Sequence, residues 1–298
     1  MTTTHAPADA PSRPAPYLAV AAALITVVLW ASAFVGIRML GASYSPGALA
    51  FGRIASGAVV LGVIALRHRR PWPRGRTLRL VLAYGVAWFG IYTVALNEAE
   101  RHIDAGTAAL LVNVAPLLVA VFAGFLLREG FAPALLIGIM IAFGGVGLIA
   151  LGGTDGAAVT DSIGIWLALL AAFLYASGVL MQKVALRGVD VFTATFLGCA
   201  TGAVVLLPFA PQFVVETSTA PLGALAGVVY LGVFPTAIAF TTWAYALART
   251  DAGRLTATTL TVPAIAILLS WVILGELPTV LAMIGGALCL LGVAISRR

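Results

Sequence analysis

Charged residues are scarce in this chain of 298 residues: they make up 9% of it, against about 25% in a soluble domain. Apolar residues account for 61%, and the mean hydropathy is +1.07. This composition excludes a soluble enzyme, a disordered chain and an ordinary nucleic-acid-binding protein. The net charge is nevertheless +6, so the positions of the few basic residues need an explanation other than a nucleic-acid partner.

Residue types that carry catalysis or bind metals are nearly missing. The two cysteines, Cys199 and Cys289, lie in apolar runs, and the three histidines are His5, His68 and His102. They offer neither a disulfide framework nor a zinc-type cluster. The sequence also lacks the H-E-x-x-H, P-loop and G-x-S-x-G motifs. We therefore expect no enzymatic activity, no metal and no cofactor.

Long apolar windows, by contrast, fill most of the chain. A membrane-spanning helix needs about 20 apolar residues, because it must cross about 30 Å of hydrocarbon at a rise of 1.5 Å per residue. Ten such windows are predicted, at 17–38, 46–66, 78–96, 104–127, 131–151, 162–183, 190–208, 221–247, 253–274 and 278–296. Residues 1–16 are rich in proline and alanine and are predicted to form a disordered tail. We predict an all-α integral membrane protein with ten transmembrane helices.

The basic residues predict the orientation of these spans. With a cytoplasmic N-terminus, fourteen of the seventeen Lys and Arg residues lie in cytoplasmic segments, six of them in the 67–79 loop. The reverse orientation would place that loop outside, against the positive-inside rule. We therefore predict a multi-pass protein of the cell inner (plasma) membrane with cytoplasmic N- and C-termini. The basic loop is expected to contact anionic lipid headgroups rather than nucleic acid.

The second half of the chain repeats the first. Matches between scarce residue types at an offset of 147 residues are Asp104 with Asp251, Pro116 with Pro263, and Glu129 with Glu276. At an offset of 145, Trp30 falls on Tyr175, and Arg38 falls on Lys183. Each half, 17–151 and 152–298, holds five spans, and because five is odd the halves cross the membrane in opposite directions. Inverted repeats are typical of secondary transporters, with the substrate near the midplane; a duplication without a transport role is the alternative.

Two stretches at equivalent positions also resemble a known family. They are DAGTAALLVNVAPLLVAVFAGFLLREGFAP and DAGRLTATTLTVPAIAILLSWVILGELP, each with a proline inside the fourth span of its half and a Gly-rich fifth span following. This pattern resembles the EamA type of the drug/metabolite transporter superfamily, and within it the YddG-type exporters of aromatic and neutral amino acids. The resemblance covers about 17–298. It implies a two-repeat carrier fold, and an amino acid, drug or metabolite as substrate.

Away from the ends of the predicted spans, charge is confined to one residue. No Asp or Glu falls at the middle of a span, which disfavours a proton relay at the midplane. Uniport remains, or coupling through the outer-edge group Glu98, Glu100, His102 and Asp104. Arg53, inside the second span, either binds a substrate carboxylate or extends its side chain outward to the membrane surface.

Aromatic and hydroxyl residues within the spans are the candidate cavity lining. Tyr84, Trp88 and Tyr92 recur at i, i+4 and i+8, which places them on one face of an α-helix. The other candidates are the repeat-related pair Trp30 and Tyr175, with Ser177 beside the latter, and Tyr230 in the eighth span. Packing between helices is the alternative for all of them. Trp166, Trp243 and Trp271 lie near span ends, where anchoring at the membrane interface is expected.

Two prolines interrupt equivalent spans and are candidate hinges. Pro116 and Pro263 each remove a backbone donor and clash with the carbonyl four residues earlier, and a freed carbonyl inside a membrane needs a partner. Asn113, Thr256 and Thr259 lie next to these interruptions and add uncharged polar groups. They could bind substrate, or satisfy the kinks internally.

We interpret the chain as a secondary transporter that exports amino acids, with aromatic and neutral ones favoured, by alternating access. The alternative is an exporter of lipophilic drugs or other small metabolites. An intramembrane enzyme would need a nucleophile or a carboxylate pair, and a channel would show charged rings or a carbonyl filter; neither pattern is visible. The expected partners are a small molecule and membrane lipid. The oligomeric state stays open, and a monomer is compatible with the sequence.

Overall fold

The structure is a computed structural model, and the residues it describes are 16–68, 70–127, 133–151, 161–250 and 252–295. These ranges are helical, with short turns and without β-strand. The predicted tail, except for its last residue, lies outside the described residues. Glu129 and Asp251 also lie outside them.

Fifteen α-helices follow one another along the described chain. They are α1 (Pro16–Leu40), α2 (Pro46–His68), α3 (Gly75–Tyr84), α4 (Tyr92–His102), α5 (Ala105–Val112), α6 (Ala115–Leu127), α7 (Pro133–Leu151), α8 (Asp161–Ala185), α9 (Val191–Val205), α10 (Ala210–Thr219), α11 (Leu222–Leu231), α12 (Ala239–Arg249), α13 (Ala252–Thr258), α14 (Val262–Leu274) and α15 (Val280–Ile295). Two π-helical segments, Gly85–Ile91 and Gly232–Ile238, join α3 to α4 and α11 to α12. Two 3-10 turns, Leu207–Phe209 and Thr259–Thr261, precede α10 and α14.

Five continuous helical segments, some of which combine two of these helices, are long and apolar enough to cross a membrane. They are Tyr17–Leu40, Pro46–Arg67, Gly75–His102, Ser162–Ala185 and Leu222–Arg249, and a sixth arises if α9 and α10, bent by 53°, count as one span. Large apolar side chains on these and neighbouring helices remain exposed, such as Leu66 at 69% and Val272 at 70%. An apolar surface of this extent needs lipid rather than water around it. The protein is a multi-pass membrane protein.

The remaining predicted spans coincide with shorter helices. The fourth and ninth are each divided, into α5 and α6 and into α13 and α14, while α7 and α15 occupy the fifth and tenth. The divisions fall directly before Pro116 and Pro263, as expected for residues that cannot continue a helix from the preceding turn. Five to six long apolar helical segments are thus observed among the described residues, and the total of ten crossings stays a prediction.

Aspartates begin two of the helices. The Asp104 carboxylate accepts a hydrogen bond from the Thr107 N–H at 2.9 Å and starts α5. Asp190 accepts bonds from the N–H groups of Phe192 and Thr193, both at 3.1 Å, and starts α9. These caps satisfy donors that the first helical turn leaves without partners. They also explain why scarce carboxylates occur at span ends rather than within spans.

The two π-helical segments occupy equivalent positions in the two halves. Gly85–Ile91 and Gly232–Ile238 are related residue by residue by the offset of 147. The glycine that begins each segment allows close contact with a neighbouring helix: a Cβ on Gly85 would lie 2.7 Å from the Gly198 carbonyl oxygen, and one on Gly232 would lie 2.6 Å from that of Arg53. A π-helical turn holds more residues than an α-helical turn, so each segment rotates the side chains that follow it.

The two halves meet in reciprocal contacts at the crossing of α7 and α15. A Cβ on Gly145 would lie 2.4 Å from the Gly285 carbonyl oxygen, and one on Gly292 would lie 2.5 Å from that of Gly138. At the centre, the Cys289 thiol donates to the Ala142 carbonyl at 3.4 Å. All three contacts join positions that the repeat exchanges, as in a pair of helices related by a local twofold axis.

A second set of reciprocal contacts lies at the opposite ends of the molecule. Arg38 Nη1 donates to the Glu100 carbonyl at 2.7 Å, where α4 ends. Lys183 Nζ donates to the Leu247 carbonyl at 2.6 Å, near the end of α12. The two basic residues are related by an offset of 145 positions and the residues that supply the carbonyls by 147. Each half therefore contains the same type of side-chain-to-carbonyl hydrogen bond. We call the end that contains Arg38 the Arg38 end.

Candidate substrate cavity

A cavity of about 30 Å³ lies inside the bundle. It is lined by residues of both halves: Trp30, Ala33, Phe34, Arg53, Trp88, Tyr92, Leu96, Val112, Asn113, Tyr175, Phe240, Thr259 and Val262. These residues come from α1, α2, the first π-helical segment, α4, α5, α8, α12 and the two breaks before the prolines. The cavity therefore lies where the repeats face each other.

An aromatic cluster forms one wall of the cavity. The Trp30 ring lies at the centre of this cluster, with ring centroids at 4.9 Å from Trp243, 5.3 Å from Phe240, 5.8 Å from Tyr175 and 6.0 Å from Trp88. Most of these pairs are edge-to-face, the arrangement that aromatic quadrupoles favour. Trp243 was predicted at the membrane interface; it is instead fully buried in this cluster, because it faces Trp30 across the bundle.

Arg53 is the one charged residue among those that line the cavity. Its side chain is 3% exposed, so it turns into the bundle instead of extending to the membrane surface. Nε donates to Thr236 Oγ1 at 2.9 Å, and that hydroxyl donates to the Leu231 carbonyl at 2.9 Å. Thr236 belongs to the second π-helical segment, which thereby orients the guanidinium. Nη1 has no hydrogen-bond partner among the described residues.

Two further polar atoms at the cavity, one oxygen and one nitrogen, have no hydrogen-bond partner among the described residues. Asn113, at the break before α6, donates through Nδ2 to the Ala109 carbonyl at 3.0 Å, which leaves Oδ1 without a partner. The indole Nε1 of Trp30 is also buried and unpartnered among the described residues. A buried polar group without a partner costs free energy. Two donors and one acceptor are therefore left to bind a molecule that presents both an anionic and a cationic or hydroxyl group.

Thr259 lies at the equivalent break in the second half. Its hydroxyl donates to the Thr256 carbonyl at 2.8 Å, and the residue is almost fully buried. Val112, its counterpart at an offset of 147, lines the same cavity. The interruptions before Pro116 and Pro263 thus place the end of one helix segment from each half at the cavity.

The cavity brings together seven of the eleven residues predicted to bind substrate. They are Trp30, Arg53, Trp88, Tyr92, Asn113, Tyr175 and Thr259. The other four do not line it.

The predicted residues outside the cavity lining have other contacts. The Tyr84 hydroxyl donates to the Ala194 carbonyl, because the π-helical segment after Tyr84 removes it from the face of Trp88 and Tyr92. Tyr230 is 37% exposed and bonds through its hydroxyl to Ser32 Oγ at 2.8 Å. Ser177 and Thr256 donate to the carbonyls four residues earlier in their own helices, at 2.9 and 2.8 Å.

Several apolar residues that line the cavity were not predicted from the sequence, and Phe240 is the largest of them. Its ring lies 4.9 Å from that of Trp88 and 4.4 Å from that of Phe89. The pair Phe240 and Trp243, three residues apart in the eighth span, was a signal that could have indicated an inward face. Phe34, Leu96 and Val262 carry no feature that distinguishes them from other apolar residues of their spans.

A second pocket, of about 350 Å³, opens at the Arg38 end. Arg38 Nε lies 3.1 Å from Glu276 Oε2, which joins α1 to the segment between α14 and α15. Glu100, Asn97 and Arg101 of α4 line the same pocket. Leu96 lines the cavity and the next residue, Asn97, lines the pocket, so the two spaces adjoin along α4. Among the described residues, no group of three or more His, Cys, Asp or Glu could hold a metal ion.

Comparisons with known proteins agree with this architecture. The EamA-like transporter family matches residues 17–151 and again 162–298. A "Probable terminal-alkyne amino-acid exporter" of Streptantibioticus cattleyicolor is 36% identical over 94% of this chain and 93% of its own length. The "Uncharacterized transporter YdfC" of Bacillus subtilis is 33% identical over 91% of this chain and 88% of its own.

One solved crystal structure shares the fold. It superposes with a TM-score of 0.65 at 24% sequence identity, and the match covers 95% of this chain and 98% of the other. Family and relatives together indicate a transporter rather than an enzyme, with a small molecule as substrate. The chain belongs to the EamA-like transporter family.

Proposed function

We propose that this transporter exports zwitterionic amino acids, aromatic and neutral ones in particular, through the cavity around Arg53. The observation that carries the proposal is the buried guanidinium with its unpartnered Nη1, beside an aromatic wall and without a carboxylate in the cavity lining. A substrate carboxylate satisfies that donor through a charge-assisted hydrogen bond. The similarity to a relative named as an amino-acid exporter supports the same substrate class.

The other polar groups of the cavity suit the remaining parts of an amino acid. Among the described residues Asn113 Oδ1 is an acceptor without a partner, and it can accept one of the three N–H donors of an ammonium group. The cluster of Trp30, Trp88, Tyr175 and Phe240 offers edges and faces to an apolar or aromatic side chain. A sugar phosphate would instead need several buried cations, and Arg53 is the one cation lining the cavity.

The proposed transport cycle uses the two halves as inverted five-helix repeats, 17–151 and 152–298, with ten crossings in total. The reciprocal contacts of Gly145 with Gly285, and of Gly292 with Gly138, support this arrangement. The positive-inside rule places the N- and C-termini in the cytoplasm of a cell whose inner membrane holds the protein. The Arg38 end then faces outward. Pro116 and Pro263 serve as paired hinges, because each lies in the first turn of a helix segment that begins beside the cavity.

The aromatic wall also favours a second substrate class, lipophilic drugs. A drug that binds through the rings alone would leave Arg53 Nη1 unsatisfied, which costs free energy in a buried site. This alternative therefore predicts transport that does not depend on a carboxylate. Amino-acid transport, in contrast, depends on both the carboxylate and Arg53.

The test is counterflow in proteoliposomes with a panel of amino acids, lipophilic drugs and sugar phosphates. We expect counterflow of neutral and aromatic amino acids and none of the corresponding amino-acid amides. Arg53→Gln should abolish it, since glutamine keeps a donor but not the charge. Arg249→Gln is the matched control, because Arg249 Nη1 bonds to the Tyr245 carbonyl away from the cavity. Drug counterflow that survives Arg53→Gln, without amino-acid counterflow in the wild type, would replace the proposal by the alternative.

A further inference from the structure

Glu100 stands apart from the other carboxylates that the structure describes. Glu98 pairs with His102 at 3.2 Å, Asp104 caps α5, and Glu276 pairs with Arg38. Asp190 caps α9, and Glu216 accepts from the Ser45 N–H at 2.9 Å. Glu100, in contrast, is 2% exposed, and neither oxygen of its side chain has a hydrogen-bond partner among the described residues. The outer-edge group that the sequence suggested for coupling is thereby reduced to one candidate.

The position of Glu100 links the cavity to the second pocket. On α4, Leu96 lines the cavity and Glu100, one turn later, lines the pocket; on α1, Phe34 lines the cavity and Arg38 lines the pocket. Glu100 therefore lies one helical turn beyond the cavity, on the side of the second pocket. In the part of the chain that the structure describes, the neighbouring Asn97 Oδ1 is buried without a partner too, so acceptors that lack donors are concentrated on this stretch of α4.

The charged groups that act on Glu100 come from four elements. Arg38 of α1 and Arg53 of α2 are the positive ones, while Asp104 before α5 and Glu276 after α14 are negative. On α4 itself, Arg101 lines the same pocket. Among the described side chains of α8, which packs along α4, the charged one is Lys183, and it binds the Leu247 carbonyl at the opposite end. Arg38 acts on Glu100 more strongly but also pairs with Glu276, and Arg53 supplies the second positive charge.

Substrate binding changes this balance. When the substrate carboxylate binds Arg53, an ionised Glu100 loses part of its counter-charge, and a further cation close by would stabilise it. The substrate ammonium is such a cation, whereas in the empty carrier a proton on the carboxyl group removes the charge altogether. A buried carboxyl group without hydrogen bonds is stable as the neutral acid or with a bound cation, but costly as a bare anion.

We propose that Glu100 is a proton-binding site at which a proton and the substrate ammonium alternate, so that export of one amino acid is exchanged for entry of one proton. On the cytoplasmic side the O–H bond of the neutral acid breaks, its proton passes to water, and the carboxylate accepts hydrogen bonds from the ammonium. On the outer side the ammonium leaves and the carboxylate takes a proton from water. No other reactant is needed, and one positive charge enters per cycle because the amino acid is neutral overall.

The inference rests on the proposed function, and proteoliposomes can test the two separately. Liposomes with an acidic lumen are diluted into amino acid at higher pH, with the membrane potential clamped by potassium and valinomycin. Exit of one proton per amino acid taken up supports about tenfold accumulation for each pH unit. Wild-type protein should approach that ratio. Glu100→Gln should not accumulate substrate, yet should retain counterflow, in which no proton has to be exchanged with the solution.

Glu98→Gln is the matched control, since Glu98 lies two residues away, bonds to His102 and should be dispensable for accumulation. Accumulation by Glu100→Gln at the wild-type ratio overturns the proposal, and so does wild-type accumulation that follows a sodium gradient instead of the pH gradient. If Glu100→Gln loses counterflow as well, Glu100→Asp decides: accumulation driven by pH supports the proton site, and its absence overturns it. Lack of amino-acid counterflow in the wild type contradicts the proposed function itself.

Discussion

The orientation of Arg53 by a single hydroxyl group gives a sharp test of the cavity. Thr236 is fully buried, and its Oγ1 accepts the hydrogen bond from Arg53 Nε at 2.9 Å. Thr236→Val keeps the shape of the side chain and removes the hydroxyl. The guanidinium then loses the contact that orients it, and Nε is left without that acceptor. Binding must supply the ordering that the native structure provides in advance.

The size of the effect follows from the type of bond. A hydrogen bond to a charged group contributes about 1.5–3 kcal/mol, and each 1.4 kcal/mol is a factor of ten. We therefore expect the apparent affinity for amino acids to fall by about 10- to 150-fold. The measurement is the concentration dependence of counterflow in proteoliposomes, with the amino-acid amide measured beside it, because a misoriented Arg53 should also weaken discrimination between the two.

Thr241→Val is the matched control. Thr241 lies five residues later on α12, and its hydroxyl donates to the Ala237 carbonyl at 2.7 Å without contact to Arg53. It loses a neutral bond of about 0.5–1.5 kcal/mol, similar to the one that Thr236 makes to the Leu231 carbonyl. The difference between the variants therefore isolates the bond to Arg53. Equal affinities for both variants, with wild-type discrimination against the amide, would refute the assignment of Arg53 to the carboxylate.

The remaining predictions concern the hinges, the topology and the repeat interface. Pro116→Ala and Pro263→Ala should each slow transport while binding persists and should bias the carrier toward opposite facings; cysteine accessibility that shifts the same way in both would contradict paired hinges. Arg74 and Ser218 are exposed, and both native cysteines are buried and should not react. In intact cells the cysteine of Arg74→Cys should resist an impermeant thiol reagent because it lies in the cytoplasm, whereas that of Ser218→Cys should react. The opposite labelling pattern would reverse the topology. Gly145→Ala should lower the free energy of unfolding in detergent by about 1–3 kcal/mol, because its Cβ would lie 2.4 Å from a backbone oxygen. The same change at the preceding glycine, whose Cβ would meet nothing within 4 Å, should have little effect.

The sequence by itself determined the class of the protein. Hydropathy, scarce charge and a repeat offset of 147 residues are properties of the linear chain, and they predicted a helical membrane transporter in two related halves. The EamA resemblance is confirmed by the family match over both halves. The prolines predicted where two spans divide, because a missing N–H breaks a helix whatever surrounds it. The orientation and the total of ten crossings stay predictions, since hydropathy and basic residues are their support.

Only the tertiary structure decided which side chains meet. Helical periodicity predicted Tyr84 on one face with Trp88 and Tyr92. The π-helical segment that follows Tyr84 changes this register, so that Tyr84 instead contacts α9, and no sequence pattern predicted the segment. The sequence left Arg53 between the membrane surface and the pathway; the Thr236 hydroxyl, 183 positions away, holds it inward. The lack of hydrogen bonds at Glu100 likewise became visible only once its neighbours were in place. The apolar character and length of a span can be estimated from local residues, whereas partners across the bundle depend on how the helices cross.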